Sequence, residues 1–172
     1  MVKTKTGKIS RSLQKETEMD KSKKTGRYNR IYSQLQGLLK EDSNHIAGMA
    51  TIVAVLHNKM DYFFWTGFYL LDEGELIVGP YQGSPACIRL KKDTGVCWAC
   101  INRGETVIVP DVHQFPGHIA CDSRSNSEIV VPLHDKAGKI LGVLDVDSKD
   151  FGSFDEIDAL WLEKVLSLIT KH

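Results

Sequence analysis

The chain has 172 residues, of which 22 are basic and 22 acidic, with four cysteines and 42% hydrophobic residues. This length suits one domain with a single core, and no apolar run reaches the roughly 18 residues that a membrane span needs. The first ten residues, MVKTKTGKIS, lack the apolar segment of a secretory signal. We therefore expect a soluble cytoplasmic protein with reduced cysteines, which excludes a disulfide-stapled secreted domain.

The zero net charge divides into a basic start and an acidic remainder. Residues 1–30 carry ten Lys/Arg and three Asp/Glu, which leaves 12 and 19 for residues 31–172. A basic arm is one feature of nucleic-acid-binding proteins. However, residues 1–26 contain no aromatic residue for base stacking, and the acidic remainder repels phosphate backbones. We interpret residues 1–26 as a poorly ordered tail and residues 27–172 as a single domain, with neither nucleic acid nor a membrane as partner.

Apolar spacing predicts an α+β fold. Residues spaced by three and four predict a helix from Tyr28 to about Lys40, and the pair Ser43-Asn44 offers an N-cap for a second helix, whose apolar residues include Ile46. The segment 153–156 (SFDE) resembles a capping box and predicts a last helix after it, with Leu160 among its buried residues. Between the helices we expect a hairpin over 62–81, strands at 86–90, 106–109, 127–133 and 139–147, a helix over 95–103, and a long loop over 111–126. The expected architecture is an antiparallel sheet of about six strands, with the N- and C-terminal helices packed on one face and loops around a pocket on the other.

Two of the cysteines form a C-x-x-C motif. Cys97 and Cys100, together with His113 and His118, match the spacing of a two-Cys, two-His zinc finger. A finger needs both histidines on one helix, which the proline and glycine between them would break, so we expect no metal site. Thioredoxin-like chemistry is disfavoured as well, since no parallel βαβ pattern surrounds the motif, and Cys100 is expected to face the core.

Apart from Cys100, the cysteines lie in glycine-flanked segments. Cys97 lies near a predicted helix start, where amide dipoles favour a thiolate. Cys121 lies in the long loop, three residues after His118, which can lower the pKa of the thiol. With Cys87 as the third member, these thiols suggest a redox cycle in which one attacks and another resolves.

Three carboxylates accompany these thiols. Strand alternation places Asp145 and Asp147 on one face, and Glu128 lies similarly on a neighbouring strand. Close carboxylates raise one another's pKa, so that one can hold a proton near neutral pH and act as an acid. A solvated strand end is the alternative, and the residues alone leave the choice open.

Taken together, the motifs resemble the free methionine-(R)-sulfoxide reductase family, which is built on a GAF domain. The resemblance spans about Tyr28 to the C-terminus. It is carried by WTGFYL (65–70), GPYQG (79–83) with Ala86-Cys87, GVC (95–97), VPDVH (109–113), FPGHIACD (115–122), SEIVVP (127–132) and GVLDVDS (142–148).

The resemblance implies reduction of the free amino acid rather than of methionine sulfoxide in proteins. Cys121 would be the attacking thiolate and would become a sulfenic acid. Cys87 or Cys97 would then form a disulfide with it, which thioredoxin reduces. The resemblance implies no cofactor, and it leaves open a homodimer and Cys97 as the attacker.

The resemblance also assigns residues to the substrate. Glu128, Asp145 and Asp147 would bind its ammonium group and protonate the sulfoxide oxygen. The resemblance also implies that Trp65 and Tyr69 pack against the thioether methyl end. Backbone amides near Ile119 and Ala120 would orient the substrate.

Two features depart from the family pattern. Trp98 follows Cys97 where many members have glycine, and Cys100 is an additional thiol. Two rival functions are a non-catalytic GAF module that binds a small molecule as a sensor, and a zinc-binding interaction protein.

Overall fold

The computed structural model describes residues 6–40, 44–118 and 122–169, with the backbone alone for residues 6–17. Over these residues the chain forms helices α1 (Thr6–Leu38), α2 (His45–Lys59), α3 (Gly95–Arg103) and α4 (Glu156–Leu166). The strands are β1 (Trp65–Asp72), β2 (Glu75–Gln82), β3 (Arg89–Leu90), β4 (Val107–Val109), β5 (Ser127–His134) and β6 (Ile140–Ser148), and a 3₁₀ turn covers Val112–Gln114.

The strands form one sheet in the order β3-β2-β1-β6-β5-β4, with every neighbouring pair antiparallel. The prediction of an antiparallel sheet of about six strands is therefore confirmed. The β1–β2 hairpin turns at Glu73 and Gly74, both of which have positive φ, as a two-residue hairpin turn that follows the sheet twist requires. Since β1 and β6 lie at the centre of the sheet, side chains on their faces are the most deeply placed.

One face of the sheet packs against α1, α2 and α4. The largest buried side chains of this core include Tyr28, Ile52, Phe68, Leu144 and Leu162, drawn from all three helices and two strands. The predicted cap of α2 is confirmed, because Asn44 accepts hydrogen bonds from the amides of residues 46 and 47. The helices at the two ends of the chain thus share one face, as predicted.

The opposite face carries a second, smaller apolar cluster. Helix α3 contributes Val96, Trp98 and Cys100, and the sheet contributes Val130 and Val143. This face was expected to be covered by loops, but α3 covers part of it. The loops cover the remainder, and a cleft lies where the N-terminal end of α3 approaches the sheet.

A buried carboxylate joins the two end helices. Asp158 is fully buried, and its Oδ1 accepts hydrogen bonds from the hydroxyls of Tyr28 (2.7 Å) and Tyr62 (2.5 Å). Its Oδ2 forms an ion pair with Lys24 and accepts a hydrogen bond from the Asp155 amide. This bond completes a capping box between Asp155 and Asp158, two residues after the box predicted over 153–156. Lys24, which lies in the segment predicted as a tail, therefore contacts the domain.

The boundaries and burial of some elements differ from the predictions. Helix α1 begins at Thr6 instead of near Tyr28. The basic segment before Tyr28 contains no proline, which would interrupt a helix. The poor order expected for residues 1–26 stays a prediction. Strand β3 is shorter than predicted, and Ile46 and Leu160 are 66% and 60% exposed because they lie on the outer faces of α2 and α4. Within the described ranges, no helix is long and apolar enough to cross a membrane.

Candidate active site

The cleft between α3 and the sheet has about 620 Å³ of empty space, including the part open to solvent. The described lining comes from β1, β3, β5, β6, the start of α3 and residues 84–86, 94, 118, 122 and 125 of the loops. The residues are Trp65, Tyr69, Ser84, Pro85, Ala86, Leu90, Thr94, Gly95, Val96, Cys97, His118, Asp122, Ser125, Glu128, Asp145 and Asp147.

Strand register brings the three predicted carboxylates together. Glu128 of β5 lies directly opposite Asp147 of β6, and Asp145 lies opposite Val130, two residues further along β5. All three carboxylates line the cleft. The prediction that they share one face is therefore confirmed, and the alternative of a solvated strand end is wrong. Glu128 and Asp145 are only 5% and 7% exposed, whereas Asp147 is half-buried at the mouth.

Burial and mutual repulsion change the protonation of these groups. Burial, followed by the charges of Asp145 and Asp147, holds the pKa of Glu128 well above its usual range. Burial and the nearby Asp147 do the same to the pKa of Asp145. Burial raises the pKa of Asp147 to about 7. The cleft thus holds protonated and ionised carboxyl groups side by side near neutral pH.

Aromatic side chains form one wall of the cleft. The indole of Trp65 stacks between the rings of Tyr69 and Tyr81, with centroids 5.9 and 5.5 Å away. Its Nε1 donates a hydrogen bond to a backbone carbonyl of the adjacent loop at 3.1 Å. Gly67 makes room for the ring, since a Cβ there would lie 2.5 Å from Trp65 Cη2. Trp65 and Tyr69, which the family resemblance assigns to the methyl end of the substrate, both line the cleft.

The described thiols differ in state. Cys87 is disulfide-bonded, whereas Cys97 and Cys100 are free and buried. Burial, and then the charges of Asp145 and Glu128, raise the pKa of Cys97 well above its usual value. The expectation of a thiolate at Cys97 is therefore wrong. Although Cys97 does lie near the N-terminus of α3, burial and three carboxylates outweigh the helix dipole.

The predicted attacking thiol, Cys121, lies outside the described residues, as do Ile119 and Ala120. Asp122, which follows them, is hydrogen-bonded to the loop at 83–88, which contains Cys87 and is called the Cys87 loop below. Ser84 Oγ donates a hydrogen bond to Asp122 Oδ2 at 2.7 Å, and Arg124 pairs with the same carboxylate at 2.6 Å. The Arg124 guanidinium in turn lies 4.7 Å from the centre of the Phe64 ring. These contacts fix the position of residue 122 beside the cleft.

Sequence reasoning missed polar residues of the lining, among them Ser84, Asp122 and Ser125. It considered His118 only as a neighbour of Cys121 and as a candidate metal ligand. In the structure, His118 Nδ1 lies 3.8 Å from Glu128 Oε2, and its Nε2 is buried with no described partner. Burial lowers the pKa of His118, which makes it a neutral neighbour of that acid. The glycine and proline before it were the available signal, because they shape the loop that turns into the cleft.

The zinc-finger ligand set does not come together. His113 is exposed and bonds Asp111, while His118 lies in the cleft. Among the described residues, the candidate metal-ligand group is Cys97 with Glu128 and Asp145.

Comparisons with known proteins agree with this geometry. The GAF domain family model matches residues 49–171. The chain is 48% identical over 158 residues to GAF domain-containing protein A of Dictyostelium discoideum, covering 91% of this chain and 99% of that protein. It is 39% identical over 148 residues to the free methionine-R-sulfoxide reductase of Escherichia coli, covering 86% and 89%.

A solved structure is similar over the same region. The free methionine-R-sulfoxide reductase of Neisseria meningitidis, in complex with its substrate, superposes with a TM-score of 0.82 at 41% identity, covering 86% of this chain and 89% of that one. The chain therefore belongs to the GAF-domain family and, within it, to the free methionine-R-sulfoxide reductase family of enzymes.

Proposed function

We propose that this protein reduces free L-methionine (R)-S-oxide to methionine through a cysteine sulfenic acid and an intramolecular disulfide. The observation that carries the proposal is the cleft itself, in which Glu128, Asp145 and Asp147 face the Trp65 wall beside the Cys87 loop. Similarity to reductases of the same name supports the choice of substrate.

The two sides of the cleft match the two ends of a methionine sulfoxide. Carboxylates suit the ammonium group, and the Trp65–Tyr69 wall suits the methyl end, since aromatic rings pack well against sulfur-bearing side chains. Asp147 lies at the mouth and ionises near neutral pH, so we assign it to the ammonium group. Backbone amides near residues 119 and 120 are proposed to orient the substrate.

The chemistry needs one acid and two thiols. The Cys121 thiolate attacks the sulfoxide sulfur, and the oxygen takes a proton from Glu128, whose raised pKa keeps it protonated. The substrate S–O bond then breaks as the hydroxyl moves with its bonding pair to the Cys121 sulfur, and methionine leaves with the electron pair of the S–S bond, so that Cys121 becomes a sulfenic acid. A second thiol then attacks that sulfur and releases the oxygen as water.

We propose Cys87 as this second thiol. Its disulfide-bonded state supports the assignment, as does the free thiol of Cys97, whose raised pKa makes it a weak nucleophile. A dithiol reductant of the thioredoxin class then returns both cysteines to thiols, with two electrons for each sulfoxide reduced. The reducing cytoplasm supplies such a reductant.

The rival function is a non-catalytic GAF module that binds a small molecule. It needs the cleft but no thiol cycle, so a turnover assay distinguishes the two hypotheses. Thioredoxin, thioredoxin reductase and NADPH are combined with the protein, and NADPH oxidation is followed after addition of free methionine-R-sulfoxide. We expect turnover by the wild type and by Cys100→Ala, and none by Cys121→Ser. Substrate binding without turnover by the folded wild type would favour the sensor module.

A further inference from the structure

The floor of the cleft contains a set of donors that suits a metal ion. The thiol sulfur of Cys97 and one carboxylate oxygen each of Glu128 and Asp145 lie within 4.8 Å of one another, and all three residues are buried. Donor atoms around a tetrahedral zinc ion lie about 3.3–3.7 Å apart, given Zn–O and Zn–S distances of about 2.0 and 2.3 Å. Small side-chain rotations therefore bring the three atoms onto one ion.

The described lining of the cleft offers no fixed counter-ion for the negative charge that this set gains on deprotonation. Asp145 Oδ1 is buried without a hydrogen-bond partner among the described residues, and no Lys or Arg belongs to the lining of the cleft described above. A buried carboxylate in this situation favours any cation that enters. The substrate ammonium group is one such cation, but it makes no use of the sulfur of Cys97.

We propose that the cleft also binds a thiophilic divalent cation of the Zn²⁺ class through Cys97, Glu128 and Asp145. The sulfur donor selects such an ion over Mg²⁺ and Ca²⁺, which prefer oxygen alone. On binding, the ion displaces the proton of the thiol and any proton on the Glu128 and Asp145 carboxyl groups; these protons pass to solvent, and no electrons are transferred. Solvent at the mouth supplies a fourth ligand, and His118 lies where it can orient the Glu128 carboxylate.

Binding at this position has a functional consequence, which rests on the proposed function. The ion takes up Asp145 and Glu128, the proposed proton donor, and its charge repels the substrate ammonium group assigned to Asp147, which lies opposite Glu128, so Zn²⁺ competes with methionine sulfoxide. The metal site itself does not depend on reductase chemistry, and it is tested without turnover.

The test adds Co²⁺ to the disulfide-oxidised protein in the absence of oxygen and thiol reductants. In this form Cys87 is disulfide-bonded, and the described free thiols are Cys97 and Cys100. We expect one Co²⁺ per chain with a thiolate-to-cobalt charge-transfer band that Zn²⁺ removes. The variant Cys97→Ser loses the band and binds Zn²⁺ more than about 100-fold more weakly, since loss of a direct ligand exceeds the roughly 10- to 100-fold effect of outer-sphere changes.

Two further variants keep the result interpretable. Cys100→Ala removes the neighbouring buried thiol and is expected to keep both the band and the affinity. Asp145→Asn keeps the band but weakens binding, and it serves if Cys97→Ser does not fold. A band that survives in folded Cys97→Ser, or disappears in folded Cys100→Ala, overturns the assignment. If the band behaves as expected but Zn²⁺ leaves both the kcat and the KM of the reductase unchanged, the metal site stands and the proposed roles of Glu128 and Asp147 in the reductase fail.

Discussion

Replacement of Gly67 by alanine tests the packing that holds the aromatic wall. The added Cβ would lie 2.4 Å from Tyr81 Cβ and 2.5 Å from Trp65 Cη2, whereas carbon atoms pack at about 3.5–4.0 Å. The strand backbone leaves Tyr81 Cβ little room to move, so the Trp65 ring must leave its stack and lose its 3.1 Å hydrogen bond to the Ser84 carbonyl. Overpacking costs about 1–3 kcal/mol and the lost hydrogen bond about 1 kcal/mol, for a total of about 3 kcal/mol.

Thermal and chemical unfolding measure this loss, which corresponds to a fall in Tm of roughly 6–12 °C for a chain of this size. We also expect a higher KM for methionine sulfoxide, because the wall for the methyl end has moved. The control is Gly48→Ala in α2, where the new Cβ meets its nearest atom at 3.8 Å. That variant should gain about 1 kcal/mol from helix propensity. A Gly67→Ala variant with wild-type stability and KM would refute the reasoning.

Three further predictions concern buried or half-buried carboxylates. Burial raises the pKa of Asp147 to about 7, so the ionised form that binds ammonium is lost as pH falls. The kcat/KM should therefore rise with pH through about 7, and Asp147→Asn should flatten that rise. Burial also raises the pKa of Glu128. The folded state therefore loses stability as pH rises above about 4.3, the pKa of Glu in the unfolded chain. The loss is about 1.4 kcal/mol for each unit by which the folded-state pKa exceeds the unfolded-state pKa. Chemical denaturation of Glu128→Gln should therefore show a stability gain over wild type that is larger at pH 8 than at pH 5, and an equal gain at both would contradict this. Asp158→Ala leaves Lys24 and two tyrosine hydroxyls without their buried partner and should cost about 3–5 kcal/mol in urea unfolding, with a smaller loss for Asp158→Asn.

Short-range signals predicted the parts of the fold that depend on neighbouring residues. Asn44 lies at the start of an apolar helix pattern and caps α2. A capping box begins α4 as expected, although Asp155 and Asp158 form it instead of residues 153 and 156. Asp145 and Asp147 are two residues apart on one strand, so their shared face follows from backbone geometry alone. Predicting that they lie close to Glu128 also required the order of the strands, which the succession of hairpins indicated.

Features that depend on distant contacts were not predictable in this way. Burial, and then carboxylates from β5 and β6, raise the pKa of Cys97 and outweigh its position near the start of a helix. The hydrogen bond between Ser84 and Asp122 joins two loops with no shared pattern. Thr6 starts α1 in a basic segment with few apolar residues, where apolar spacing gives no helical signal.

The most direct measurement of the central claim is the fate of each epimer when the protein, thioredoxin, its reductase and NADPH are incubated with racemic free methionine sulfoxide. Chiral chromatography follows both epimers and the methionine formed. We predict that the R epimer disappears, that methionine and oxidised NADPH appear in equal amounts, and that the S epimer remains. Equal loss of both epimers, or no methionine from the folded wild-type protein, would contradict the account.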